Sequence, residues 1–203
     1  MLRRGRIGIL DGKDAAARDP YSYMRYEDNV TGITPRILPG TDNQVLYADS
    51  DEHTEQGHIT ESAEVRSGMV DKRLRRISTL RGELKEPEIY PDSERKIYVV
   101  SWGSTLGAVQ EAVRLLRIED FDIGYIHFSE IYPVKPDLFP EEFLRKSVLI
   151  SVENNATAQL ARLLRMEAGI EIRTTIGKFD GRPFTPAELA ERIREKRGDI
   201  YGG

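Results

Sequence analysis

The second half of the chain predicts an open α/β fold, on three observations. Apolar β-branched runs alternate with amphipathic stretches of helical period. Short Gly-, Asn- or Asp-bearing turns separate them. The strand runs are continuously apolar, as expected of strands covered on both faces. The clearest unit is Lys96 to Leu116, KIYVVSWGSTLGAVQEAVRLL. Ile97, Tyr98, Val99 and Val100 form the first strand, and Gly103 permits a tight turn. Ser104 or Thr105 is expected to cap a helix whose Leu106, Val109, Val113 and Leu116 recur on one face.

The remaining elements follow in order. Ile123 to Phe128 is the second strand, and a Pro-punctuated loop then leads to a short helix around Glu141 to Arg145. Val148 to Val152 is the third strand. Glu153-Asn154-Asn155-Ala156-Thr157 turns into a helix with Leu160, Leu163, Leu164 and Ile170 inward. Ile172 to Lys178 is the fourth strand. Asp180-Gly181 turns, Thr185 caps, Pro186 takes the first helical position and Glu188 follows the cap by three, which starts a final helix from Pro186 to Lys196.

Ahead of this lies a different text. Residues 1 to about 60 scatter Gly, Pro, Asp, Asn and Thr with little periodicity, and no independent core is expected there; the first ~90 residues are expected to be mobile or to pack against a second copy of the chain. Glu61 to Leu84 reads as a long charged helix capped by Thr60, with a thin stripe of Val65, Met69, Leu74, Ile77, Leu80 and Leu84. Its cluster Lys72, Arg73, Arg75 and Arg76 reads as a solvated face or as ion pairs to a partner subunit rather than a phosphate site. Pro87 and Pro91 break the chain, so the expected division is 1–93, an extension with the helix at 61–84, and 94–203, the α/β domain.

Composition narrows the function. With no cysteine, the 203 residues can supply no disulfide, thiolate metal site, iron–sulfur ligand or thiol nucleophile. The formal net charge of -4 gives no reason to expect nucleic acid. No run approaches the roughly 20 apolar residues of a membrane span, and MLRRGRIGIL lacks a secretory apolar stretch, so a cytoplasmic location is expected. No G-x-S-x-G elbow, Walker loop or G-x-G-x-x-G motif occurs. His127 falls in a strand, where a satisfied core histidine is expected. Asp49 to His58 crowds two of the three histidines among carboxylates, but the H-x4-H spacing in a loop favours a hydrogen-bonded interface loop over a metal site. No catalytic residue and no metal ligand is therefore assigned.

Ligands of open parallel sheets bind at the carboxyl ends of the strands. Two loops share that edge, so Gly103, Ser104, Thr105, Asn154 and Asn155 are the candidate lining of an anion-binding groove. The same residues would also serve simply as turn and cap, as every α/β domain requires.

Five ordered blocks carry a resemblance: RYEDNVTGITPRILPG from Arg25, DEHTEQGHITESAEVRSGMVDKR from Asp51, VSWGST from Val100, VENNATAQLARLLR from Val152 and KFDGRPFTP from Lys178. Together they resemble the C-terminal half of the alpha subunit of 2-oxoacid:ferredoxin oxidoreductases, especially the 2-oxoglutarate type. The resemblance implies a three-layer α/β/α sandwich around a mostly parallel five-stranded sheet, like the transketolase C-terminal domain. Only four strands are read above, and the stretch Phe179 to Phe184 is the expected fifth. It also implies CoA-dependent oxidative decarboxylation of a 2-oxoacid using thiamine diphosphate, magnesium and an iron–sulfur cluster. None of these cofactors is expected on this chain, because the family holds thiamine diphosphate in a preceding pyrimidine-type domain and the beta subunit. The implied partners are that beta subunit, a second alpha chain and, indirectly, ferredoxin. Nothing here matches the pyrimidine-type domain, so the chain reads as truncated or split and inactive alone, with assembly as its role. The alternative is a stand-alone binder of an anionic cofactor such as CoA at the carboxyl edge. Ala158 stands where the family commonly has Gly, a change Ala tolerates if φ is negative.

Overall fold

The computed structural model describes residues 19, 21–38, 44–91 and 94–196. They fall in two compact units, Met1–Glu83 and Leu84–Gly203. The expected boundary near residue 94 falls inside the second of these units.

In the first unit the helix α1 runs Ala63–Glu83. Ser62, not Thr60, is its cap: Ser62 Oγ accepts from Val65 N at 3.3 Å, while Thr60 Oγ1 accepts from Ser62 N at 3.2 Å. Of the expected apolar stripe, Met69 alone among the described residues is buried. Leu74 and Leu80 are 56% and 41% exposed, whereas Met69 and Lys72 are the buried positions. The irregular segment before it folds back along this face, and Tyr23 and Ile37 are buried with it. Lys72 Nζ donates to Tyr26 O at 2.6 Å and to Thr34 Oγ1 at 2.7 Å, and burial pulls its pKa below the usual lysine value. Gly32 shows how closely loop meets helix. Its φ is +70°, and a Cβ there would stand 2.5 Å from Lys72 O and 2.7 Å from Arg76 N, so only glycine fits.

Three of the four residues of the basic cluster, Lys72, Arg73 and Arg75, bond within the unit, and Arg76 is exposed. Arg75 pairs with Asp28. Arg73 holds the buried Glu52 with two hydrogen bonds, at 3.1 and 2.8 Å, and chiefly for that reason the Glu52 carboxyl falls to a pKa of about 2. Because its folded pKa lies below the ordinary 4.5, the stabilisation from this group is complete above about pH 4.5 and is lost as pH falls through about 2. Acid titration followed by NMR of the 49–60 amides should show the unit loosening in that window. Glu52→Gln should remove the pH dependence, and an unchanged acid profile in that variant would refute the assignment.

The second unit is a five-stranded sheet of order β1-β3-β2-β4-β5. Its strands are β1 (Glu88–Tyr90), β2 (Ile97–Trp102), β3 (Ile123–Phe128), β4 (Val148–Glu153) and β5 (Thr174–Gly177). The last four are parallel, and β1 joins β3 antiparallel at the edge. The fifth strand is therefore Glu88–Tyr90 and not the stretch Phe179 to Phe184, where the Asp180-Gly181 turn and Pro183 prevent extension. A three-residue strand between two prolines is too short to show a period.

Four helices complete the layers: α2 (Leu106–Ile118), α3 (Glu141–Lys146), α4 (Gln159–Ala168) and α5 (Pro186–Glu195). One face of the sheet, through Ile97, Val99, Ile150 and Val152, packs on Val109, Val113 and Leu116 of α2 and on Leu189 and Ile193 of α5. The other, through Tyr98, Val100, Ile126 and Leu149, packs on Leu160 and Leu164 of α4 and on the α3 side. The result is the expected α/β/α sandwich. His127 is a satisfied core histidine: it is 5% exposed, its Nδ1 lies 2.9 Å from Ser101 Oγ, and burial lowers its pKa. No described helix is long and apolar enough to cross a membrane.

Candidate functional site

The carboxyl ends of β2, β4 and β5 meet at one edge. After β2, Gly103 takes a φ of +59° and starts a 3-10 turn, Gly103–Thr105, that runs directly into α2. Neither Ser104 nor Thr105 caps α2. Thr105 is buried and its Oγ1 turns back to donate to Trp102 O at 2.7 Å, whereas Ser104 is exposed. After β4 the arrangement is reversed, because the cap comes from the strand itself. Glu153 is 0% exposed, and its carboxylate accepts from Leu160 N at 2.9 Å and Ala161 N at 3.1 Å. Asn155 completes it: Nδ2 donates to Glu153 Oε2 at 2.7 Å, and Oδ1 accepts from Thr157 N and Gln159 N. Asn155 is thus a structural residue. The carboxylate already fills the positive end of α4, so that helix start offers nothing to an anion.

The backbone at this junction is strained. Ala158 has φ +52° and ψ +55°, the left-handed region, and not the negative φ that would suit alanine. Ala158→Gly should therefore raise the stability of the unit by about 1 kcal/mol, the left-handed penalty less glycine's entropy. Equilibrium urea unfolding measures it, and an equal loss would show that the conformation is not held in solution.

Of the five candidates, Ser104 and Asn154 line the groove observed at this edge, together with the loop after β5: Lys178, Phe179, Gly181, Arg182 and Pro183. Its volume is about 410 Å³. Gly103, Thr105 and Asn155 shape the edge from outside the lining. The β5 loop is what reading from local pattern missed, since Asp180-Gly181 registered only as a turn. It is that turn, with Gly181 at φ +82° and Arg182 N donating to Asp180 Oδ1 at 3.0 Å, and it also carries two cations to the groove. Its base is fixed. Lys178 Nζ lies 2.5 Å from Glu188 Oε2, Arg192 pairs with the same carboxylate at 2.9 Å, and Arg192 Nη1 donates to Gly177 O at 2.9 Å. The Lys178 contact chiefly lowers the Glu188 pKa. Thr185 caps α5 as expected, accepting from Glu188 N at 3.2 Å, but the Glu188 side chain serves these cations instead of closing a capping box.

The donors fit some groups and not others. A hydroxyl, an amide and two cations without a lining carboxylate suit an anion. Among the described residues no three His, Asp or Glu side chains converge to hold a metal ion, and the sequence has no cysteine for a cluster. The Asp49 to His58 stretch is a hydrogen-bonded loop in which His53 stacks on Tyr26, with ring centroids 3.8 Å apart, and His58 lies against Tyr47 at 4.0 Å.

The fold and its edge define an α/β/α domain built on a mostly parallel five-stranded sheet. No family profile matches the chain. Individual relatives do. The chain is 30% identical over 191 residues to the alpha subunit of 2-oxoacid:ferredoxin oxidoreductase 1 of Sulfurisphaera tokodaii, covering 90% of this chain and 30% of that protein. It is 33% identical over 196 residues to the alpha subunit of 2-oxoacid:ferredoxin oxidoreductase 2 of Aeropyrum pernix, covering 95% and 30%. Among solved structures, a 2-oxoglutarate:ferredoxin oxidoreductase from Magnetococcus marinus, with 2-oxoglutarate, coenzyme A and succinyl-CoA bound, superposes with a TM-score of 0.72 at 28% identity, over 86% of this chain and 31% of that one. The chain is thus a relative of the alpha subunits of 2-oxoacid:ferredoxin oxidoreductases, and it spans about 30% of the length of these two curated relatives.

Proposed function

We propose that the chain serves as the C-terminal portion of the alpha subunit of a cytoplasmic, thiamine-diphosphate-dependent 2-oxoacid:ferredoxin oxidoreductase, with 2-oxoglutarate as the oxoacid. In this reading it supplies scaffold and subunit contacts to CoA-dependent oxidative decarboxylation and is inactive alone. Its partners are the beta subunit and a second alpha chain, with ferredoxin reached through them. The observation that carries the reading is similarity over nine-tenths of this chain to less than a third of each relative. The choice of 2-oxoglutarate leans on the name of the Magnetococcus marinus neighbour.

Co-expression with a matching beta subunit and the remainder of an alpha subunit tests this. The chain should elute with both in size-exclusion chromatography at low micromolar concentration, and elution apart from them would overturn the reading. A second reading, a stand-alone binder of an anionic cofactor such as CoA, is favoured by one observation, the two cations and absent carboxylates of the carboxyl-edge groove. Saturable CoA binding by the isolated chain would support it.

A further inference from the structure

We propose that the apolar side of α1 around Leu74, Ile77 and Leu80 is the docking surface for the part of the alpha subunit that this chain does not contain, with a carboxylate of that part on Arg81. The inference rests on the first reading above and names the surface through which it operates.

The two sides of the helix are used differently. Lys72 and Thr79 lie two turns apart on one side and hold the preceding segment: Lys72 Nζ donates to Tyr26 O and Thr34 Oγ1, and Thr79 Oγ1 donates to Thr31 O at 3.0 Å. Arg75 joins them through Asp28. Val70, Leu74, Ile77 and Arg81 recur at the alternating spacing of a helical seam, which places them together on the other side. There Leu74 is 56% exposed, Leu80 beside it is 41% exposed, and Val70 and Ile77 are half-buried. The segment that folds back thus takes the polar side of α1 and leaves the apolar one.

The rest of the unit shows why this side is not simply wet. Among its described residues the first unit buries three large apolar side chains, Tyr23, Ile37 and Met69, and leaves eight exposed. So small a core does not offset the conformational entropy of about sixty ordered residues, and the apolar side of α1 is the surface through which the core is completed. Arg81 adds a polar requirement. Its Nε is buried without a hydrogen-bond partner, on a side of the helix where Leu74 and Ile77 are its neighbours. An unspent guanidinium donor in apolar surroundings calls for an acceptor, and a carboxylate supplies two oxygens. The occupant is therefore apolar with an acidic residue set in it.

Length selects the alpha subunit itself as that occupant. The two curated relatives match 90% and 95% of this chain, so most of this unit lies within the match, yet the match takes up 30% of each relative. About seven-tenths of such a subunit lies outside this chain, in the same polypeptide as the equivalent of α1. A surface that completes a core needs a permanent neighbour, and a domain of the same polypeptide is held at high effective concentration where a dissociable subunit is not.

Sedimentation-velocity titration of the full chain with the remainder of an alpha subunit tests the surface. Leu74→Asp combined with Leu80→Asp should weaken that binding about 100-fold, and Arg81→Ala about 10-fold. Met166→Asp, at a position 74% exposed on α4 of the other unit, should leave it unchanged. Leu74 and Leu80 are exposed, so the paired variant should keep its fold, checked by circular dichroism. Hydroxyl-radical footprinting of Leu74 and Leu80 reads the same contact in the parent chain, with protection expected only when the alpha remainder is present. Binding that the paired substitution leaves intact, or leucines that stay reactive in the complex, would overturn this surface and leave the first reading standing. A parent chain that does not bind the remainder at all would overturn both. Protection by the beta subunit alone, or by raising the concentration of the chain alone, would give the surface to that subunit or to a second copy and overturn the assignment.

Discussion

Replacing Glu153 with glutamine is expected to destabilise the α/β unit by about 2–4 kcal/mol, seen as a lower urea midpoint with an unchanged slope. The carboxylate is fully buried and accepts from Leu160 N, Ala161 N and the Asn155 amide. Glutamine has the shape but replaces one acceptor oxygen with a donor, which must then face a donor, and the charge on the α4 dipole is lost with it. The shortened protection should be local first. Hydrogen exchange at Leu160 and Ala161 should accelerate before the amides of β2 do. A variant as stable as the parent would mean that the helix start is satisfied by some other group.

Lys72→Met carries the second-largest expectation, a loss of about 2–3 kcal/mol from the first unit. Methionine keeps the apolar stem but removes the ammonium, leaving Tyr26 O and Thr34 Oγ1 without the donor that joins them to α1. The segment 21–38 should then exchange quickly and become sensitive to protease, while the α/β unit keeps its unfolding midpoint. Loss of both units together would contradict this expectation.

The parallel strands were readable because each is a continuous β-branched run flanked by turn residues, as in Val148 to Val152, and because Leu160, Leu164 and their equivalents repeat at helical spacing. Position on the sheet edge was readable too, since strand ends in such folds share one side. What escaped had no period. Glu88–Tyr90 is three residues long and takes its pairing from β3. The first unit buries little of its stripe because a buried lysine and a glycine contact, not leucines, join loop to helix. The same holds at the candidate groove. Asn155 and Thr105 looked like ligand residues by type, but their atoms are used by Glu153, Thr157, Gln159 and Trp102. Arg182 and Phe179 lie far along the chain from Ser104 and are brought beside it only by the parallel order β2-β4-β5.

The central claim is that this polypeptide completes a multi-subunit oxidoreductase and contributes structure to it, not reacting groups. Ferredoxin reduction by a reconstituted mixture of beta subunit and alpha-subunit remainder, supplied with thiamine diphosphate, magnesium, CoA and 2-oxoglutarate, tests it most directly. The account predicts turnover only when this chain is added and none from the chain alone. Turnover that is indifferent to its presence, or decarboxylation by the isolated chain, would contradict it.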